Sequence, residues 1–116
     1  MQARERVAWA AGIYEGEGSC QSPAQGGLAL RIGMTDLDVI ESLQAVFGIG
    51  SIKPKTNTHY PGSKQQWVWT ACGKQAYAVG VAMLPFLHER RAGKMHDSLD
   101  AWLRVPGPHR KHTWRA

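Results

Sequence analysis

The sequence predicts an α+β domain of order αββαββα(α), with one antiparallel four-stranded sheet in the shape of a saddle and the helices packed on one of its faces. Three observations carry that prediction. Leu28, Leu30, Ile32 and Met34 alternate with Ala29, Arg31 and Gly33, the two-residue period of a half-buried strand. Strand-turn-strand patterns occur twice, each flanked by segments of helical period, so two hairpins can pair into one sheet. The third is charge. Among 116 residues, 14 Lys and Arg stand against 9 Asp and Glu, a formal charge of +5 with a pI near 9.6. Such an excess suits a polyanionic partner.

The elements follow in order. Val7, Ala8, Ala11, Gly12 and Tyr14 recur at three- and four-residue steps and predict a helix over residues 4–17. Its small residues Ala8, Ala10, Ala11, Gly12 and Gly16 allow close approach of another helix, within the chain or from a second copy. Residues 19–22 read as a short strand, 23–27 as a turn, and 28–34 as a second strand with Arg31 on its exposed face. Thr35 or Asp36 can cap the next helix, Asp38 sits in its first turn, and Gly48 ends it. Its expected apolar face is Val39, Leu43, Val46 and Phe47.

Residues 49–55 predict a third strand, with Lys53 and Lys55 on one face and Ile52 on the other. Residues 56–64 read as a polar turn and 65–72 as the fourth strand. Trp67 and Trp69 share a face of that strand, which the pattern leaves unassigned. A helix over 74–87 is interrupted near its end by Pro85. A last helix over 91–103 puts Met95, Leu99 and Trp102 on one side. From Arg104 onward two prolines, four basic residues and no apolar period predict a solvated tail. The expected division is therefore a domain over 1–103 and a basic tail over 104–116.

Several function classes are excluded. No apolar run approaches the length of a membrane-spanning helix. The opening Met1-Gln2-Ala3-Arg4-Glu5-Arg6 has no apolar stretch behind it, which argues against secretion and for an intracellular protein. Cys20 and Cys72 lie far apart with no CxxC, so neither a zinc ribbon nor a disulfide framework is expected. The histidines at 59, 88, 96, 109 and 112 have no metal-binding spacing. On the outer face of the sheet, strand alternation would place Gln21, Arg31, Lys53, Lys55 and Gln65, a basic surface for a duplex. Trp67 is counted with these DNA-contacting residues.

The sharpest local feature is Ala10-Ala11-Gly12-Ile13-Tyr14-Glu15-Gly16-Glu17-Gly18. Two carboxylates stand at the C-terminal end of a small-residue helix, where the helix dipole disfavours negative charge. Either they are solvated turn residues, or a cation lies near them. Paired helices of this kind would cluster carboxylate and carbonyl oxygens suited to Mg²⁺, and such a metal activates water and stabilises a leaving oxygen.

Residues 10–18 resemble the LAGLIDADG motif of homing endonucleases, with Ala for the first Leu and Glu for both acids. Three further segments resemble the family in its order: Leu28-Ala29-Leu30-Arg31-Ile32-Gly33-Met34-Thr35, Phe47-Gly48-Ile49-Gly50-Ser51-Ile52, and Leu84-Pro85-Phe86-Leu87-His88-Glu89-Arg90-Arg91. The resemblance spans about residues 6–100. A single motif copy implies the homodimeric type, with Ala8, Ala11, Gly12 and Glu15 at the two-fold interface. It implies that Glu17 is a catalytic acid and metal ligand, with the Gly16 carbonyl near the Mg²⁺ (or Mn²⁺). Glu15 would be a structural residue ending the helix. Asp36 follows the strand end at which the family places a polar residue near the attacking water. Arg90 matches the basic residue beside the scissile phosphate, where Lys is commoner; Arg stabilises charge there without donating a proton. The implied activity is metal-dependent cleavage of double-stranded DNA at a long pseudo-palindromic site, leaving 3′ overhangs, in the setting of intron homing. The rival expectations are an inactive member acting as an intron RNA maturase or DNA-binding regulator, and a small structural nucleic-acid binder.

Overall fold

The computed structural model describes residues 2–55, 62 and 64–104. The elements are α1 (Ala3–Glu17), β1 (Gly18–Gln21), β2 (Ala29–Met34), α2 (Leu37–Phe47), β3 (Ser51–Lys55), β4 (Gln66–Cys72), α3 (Gly73–Met83) and α4 (Glu89–Arg104). Short 3-10 turns cover Pro23–Gln25 and Leu84–Phe86. The order matches the expected α+β arrangement. All three strand pairings are antiparallel, in the order β1-β2-β4-β3, so the two hairpins join through their inner strands.

Strand alternation sends Leu30 and Ile32 of β2, and Trp69 and Ala71 of β4, to one side of the sheet. There they are buried with Ala10, Ala11 and Tyr14 of α1, Ile40 and Leu43 of α2, Ala76, Val79 and Met83 of α3, and Met95, Leu99 and Trp102 of α4. All four helices thus cover one face, and the other is left open. In α2 the fully buried pair is Ile40 and Leu43, whereas Val39 is only half-buried. The expected face missed Ile40 because a stripe centred on Val39 and Val46 is rotated by part of a turn from the true one.

Three boundaries differ from expectation. The third helix stops at Met83, two residues before Pro85, and the chain continues as the 3-10 turn Leu84–Phe86. The last helix begins at Glu89 and includes Arg104, whose guanidinium pairs with Asp100 one turn back. Residues 105–116, the remainder of the expected tail, lie outside the described residues, as does most of the polar turn at 56–64. The third strand begins only at Ser51, because Ile49 and Gly50 are engaged elsewhere.

That engagement explains the Phe47-Gly48-Ile49-Gly50 turn. Gly48 closes α2 in a left-handed conformation. The Trp69 indole donates to the Ile49 carbonyl at 3.0 Å, and the Phe47 ring stacks on it at 5.8 Å between centroids. Gly50 has φ +92°, and a Cβ there would lie 2.3 Å from Trp69 Nε1. The Gln44 amide donates to the Gly50 carbonyl at 2.9 Å and ties the turn back to the helix.

Candidate nucleic-acid interface

Strand pairing fixes which side chains share the open face. Ser19, Arg31, Thr70 and Ser51 form one row across all four strands. Gln21, Ala29 and Cys72 form the row on one side of it; Gly33, Val68 and Lys53 form the row on the other, with Gln66 and Lys55 beyond. No Asp or Glu occurs in any strand, whereas Arg31, Lys53 and Lys55 all stand exposed. The face is therefore basic and acid-free, the electrostatic footprint of a surface that meets phosphates.

Trp67 is not on that face. It alternates with the open-face residues Gln66 and Val68, and so points with Trp69 toward the helices, half-buried against the core. The expected DNA contact at Trp67 is corrected on that ground, since strand parity leaves an aromatic of β4 only one of two faces. Gln65 precedes β4, and its amide donates to the carbonyls of Lys55 at 3.0 Å and Gln66 at 2.9 Å, clasping the end of the β3–β4 pair. Gln66 is the open-face residue that the sequence reading missed. Its parity relative to Trp69 was the available signal.

At one margin of the open face, α1 ends at Glu17 and passes directly into β1 through Gly18. The turn depends on glycine, because a Cβ on Gly18 would lie 2.1 Å from the Tyr14 ring. Glu17 is exposed and lines a concavity of about 570 Å³ with Ser19, Arg31, Gly33, Lys55 and Gln66. The chain thus brings together three of the expected residues, Glu17, Arg31 and Lys55. Lys53 stands outside this concavity on the same face, opposite Val68. Gln21 lies on the far side of Arg31, where its carbonyl oxygen accepts from Arg31 Nη1 at 3.3 Å.

Arg90 lies in an adjoining recess of about 270 Å³, with Tyr14, Gly18, Cys20, Arg91 and Lys94; Ser19 lines both hollows. Arg91 donates to the Gly18 carbonyl at 2.6 Å, and its guanidinium lies 5.6 Å from the Tyr14 ring centroid. Burial pushes the Tyr14 hydroxyl up to about 12, further raised by the neighbouring Cys20 and opposed by Arg91. Burial likewise raises the Cys20 thiol. Asp36 is the N-cap of α2, exposed, and its carbonyl accepts from Val39 at 3.1 Å and Ile40 at 3.2 Å. It lies just past the end of β2 and does not line the Glu17 concavity.

The small-residue helix divides between two uses. Ala11 is fully buried in the chain's own core, so it has no surface to offer a second copy, and its expected place in a dimer interface is corrected. Ala8 is half-buried, while Gly12 and Gly16 are exposed with open space where a Cβ would stand. Trp9, on the same exposed side, keeps 36% of its surface. Glu15 is turned inward to α4, where its carboxylate accepts the His88 backbone N–H.

No cluster of three or more His, Cys, Asp or Glu converges among the described residues. At the α1–β1 junction Glu17 presents an exposed carboxylate to the concavity. Hard anionic oxygens of this kind suit Mg²⁺, which keeps several waters and takes phosphate oxygens as further ligands.

The four-helix, four-strand arrangement with an open basic sheet is the fold of the LAGLIDADG homing endonucleases. The particular likenesses are two structures of the homing endonuclease I-CvuI. One, in complex with its target in the presence of Ca, matches with a TM-score of 0.70 at 15% identity over 90% of this chain and 70% of that one. The other, in complex with the I-CreI target in the presence of Mg and showing DNA not cleaved, matches with a TM-score of 0.71 at 16% identity over 92% and 71%. The archaeal intron-encoded homing endonuclease I-Vdi141I complexed with DNA matches less closely, with a TM-score of 0.49 at 19% identity over 89% and 63%. No family model and no curated protein matches the sequence.

Proposed function

We propose that this protein is a sequence-specific double-stranded DNA endonuclease of the homing type, acting as a homodimer. The observation that carries the proposal is that Arg31 and Lys55 of the acid-free strand face share one concavity with the Glu17 carboxylate, with Lys53 exposed beside it on the same face. Cations on the sheet bind the duplex backbone, and the carboxylate that lines the concavity sits where a phosphodiester would pass. Glu17, with the Gly16 carbonyl, would hold Mg²⁺, which supplies water activation and neutralises charge on the leaving oxygen. Arg90, in the neighbouring recess, stabilises negative charge at the scissile group, and Asp36 orders solvent at the strand end. A second copy, meeting the first along Ala8, Gly12 and Gly16, would set two such centres over the two strands. The same reading makes residues 1–103 the functional domain, residues 104–116 a basic appendage, and the interior of the cell the place of action.

The separation of Arg90 from the Glu17 concavity is what favours the second reading, a DNA-binding regulator without cleavage. One experiment divides them. Wild-type protein is incubated with duplex DNA spanning the insertion site flanking its gene, with Mg²⁺ and with Ca²⁺ in its place. Linear product with short 3′ overhangs in Mg²⁺ supports the nuclease. Retained duplex binding with intact DNA in both ions supports the regulator.

A further inference from the structure

Glu17 stands between two ties to α4. On its N-terminal side the Glu15 carboxylate accepts the His88 N–H at 2.5 Å, and on its C-terminal side the Gly18 carbonyl accepts from Arg91 Nη1 at 2.6 Å. Glu17 itself has no hydrogen bond or ion pair among the described residues, so the backbone around it decides where its carboxylate stands. The residue that follows is the weak point of that backbone. Glycine has more conformational freedom than any other residue type, and Gly18 joins α1 to β1, an edge strand, with no residue between. Two bonds hold it: its N–H donates to the Tyr14 carbonyl inside α1, and Arg91 takes its carbonyl from outside.

Arg91 is ill placed for its own helix. It lies in the first turn of α4, where the dipole disfavours a cation, and its Nε is buried without a partner. No carboxylate pairs with it among the described residues. Its favourable contacts lie instead at the end of α1. That helix has no basic residue in its last turn, and the dipole there favours a cation. The guanidinium also lies 5.6 Å from the Tyr14 ring centroid, and that ring packs so closely on Gly18 that a Cβ would lie 2.1 Å from it.

We propose that Arg91 is the positioning residue of Glu17: by holding the Gly18 carbonyl it sets the direction in which the α1–β1 junction delivers the carboxylate to the open face. This rests on the nuclease reading above. Arg91 does not line the Glu17 concavity, so its part in cleavage runs through Glu17 and not through contact with the duplex there. Arginine suits the task because one planar group reaches both the carbonyl and the ring, whereas lysine keeps the charge and a donor but not the planar stack.

The test compares full-length wild type, Arg91→Ala and Arg91→Lys. Amide hydrogen exchange, read by NMR on protein free of metal and DNA, quickens at Gly18 by about tenfold in Arg91→Ala, while the buried amides of α3 keep their protection. Duplex affinity in Ca²⁺ changes by no more than about threefold. Single-turnover cleavage in Mg²⁺ at saturating protein falls about 100-fold, the cost of a misplacement of about 1 Å. Arg91→Lys recovers part of that loss. Arg91→Met, which fills a similar space, replaces the alanine variant if that one does not fold. Cleavage at the wild-type rate despite faster exchange at Gly18 overturns the assignment and leaves the nuclease reading intact. A fall in affinity as large as the fall in rate makes Arg91 a phosphate contact and overturns it as well. A wild type that cuts no duplex overturns the assignment together with the reading on which it rests.

Discussion

The carboxylate of Glu15, at the end of α1, accepts the backbone N–H of His88 at 2.5 Å, and the His88 imidazole Nδ1 lies 3.5 Å from the same oxygen. His88 immediately precedes α4, whose first helical bond runs from the Ala92 N–H to the His88 carbonyl at 2.8 Å. A negative group that is unfavourable at its own helix C-terminus is thus placed against the N-terminus of another, where the dipole favours it. The two acids of the motif separate in role: Glu15 joins two helices, and Glu17 faces the open sheet.

Glu15→Ala should cost about 1–2 kcal/mol, the scale of a lost helix-terminal bond to a charged acceptor, and lower the melting temperature accordingly. Glu15→Gln keeps an acceptor and should lose less. The His88 side chain is exposed and the bond uses the backbone, so His88→Ala should stay within about 0.5 kcal/mol of wild type. Equal melting temperatures for Glu15→Ala and wild type would show that the link carries no stability.

Glu17→Gln keeps the shape and removes the charge of an exposed side chain, so folding should be unaffected. Duplex binding should persist or tighten, since a carboxylate no longer faces phosphates. Cleavage in Mg²⁺ should fall by several orders of magnitude. Rates on matched DNA, read by gel, decide the matter, and cutting at the wild-type rate would remove Glu17 from the chemistry.

Lys53→Ala should weaken binding about evenly across sequences and lessen the slope of log K against log salt by about one unit. Binding isotherms at several salt concentrations read both quantities. A loss confined to one sequence would instead make Lys53 a reader of bases.

Gly12→Gln tests assembly. In the single chain the position opens on empty space, and replacing a helix-interior glycine there should add up to about 1 kcal/mol of helix propensity. Between two closely packed helices the same side chain would block approach. The molar mass by light scattering should fall from that of a dimer to that of a monomer while helical content is kept. Ala11→Leu cannot serve this purpose, because it overpacks the chain's own core.

Tyr14 supplies a pH dependence. Its hydroxyl rises from an ordinary 10.0 to about 12 on folding, so between those values the unfolded chain releases a proton that the folded one keeps. Stability should be unaffected below pH 10 and fall as pH rises from about 10 to 12. Tyr14→Phe should flatten that part of the pH–stability curve and remove the latest-titrating tyrosinate absorbance. A wild-type spectrum with no late component would contradict the burial argument.

The elements and their order were legible in the sequence because each strand or helix carried a clear period and its glycine or proline punctuation. Leu28 to Met34 alternated cleanly, Gly48 ended α2 where it stood, and Pro85 marked the end of a helix to within two residues. Facing was harder. Trp67 and Trp69 flank Val68, so the centre of that strand is apolar on both faces and its local period did not separate the inner face from the outer. Only the cross-strand partners Met34 and Ile32, both inward, settle it. Ala11 posed the same difficulty in a helix. Small residues that could serve an external interface also serve an internal one, and the choice depends on how α1 is rotated against α2 and α3. The bond between Glu15 and His88 joins positions far apart in the chain and carries no local signal at all.

Gly50 and Trp69 occupy one space between them. With the indole 2.3 Å from where a Cβ would be, no side chain can enter at 50 while tryptophan stands at 69. The converse does not hold: a smaller residue at 69 leaves a cavity but no clash. Descent with modification through this pair is therefore one-way in its first step. A lineage leaving this arrangement escapes the indole only by changing position 69 first, and glycine stays favoured at 50 even then by its φ of +92° and the Thr70 carbonyl 3.1 Å from a Cβ; one arriving at it must acquire the glycine before the tryptophan. Between the two steps the turn that opens β3 is held less firmly, so intermediates on either route carry a loosened hairpin at the edge of the surface proposed to meet DNA.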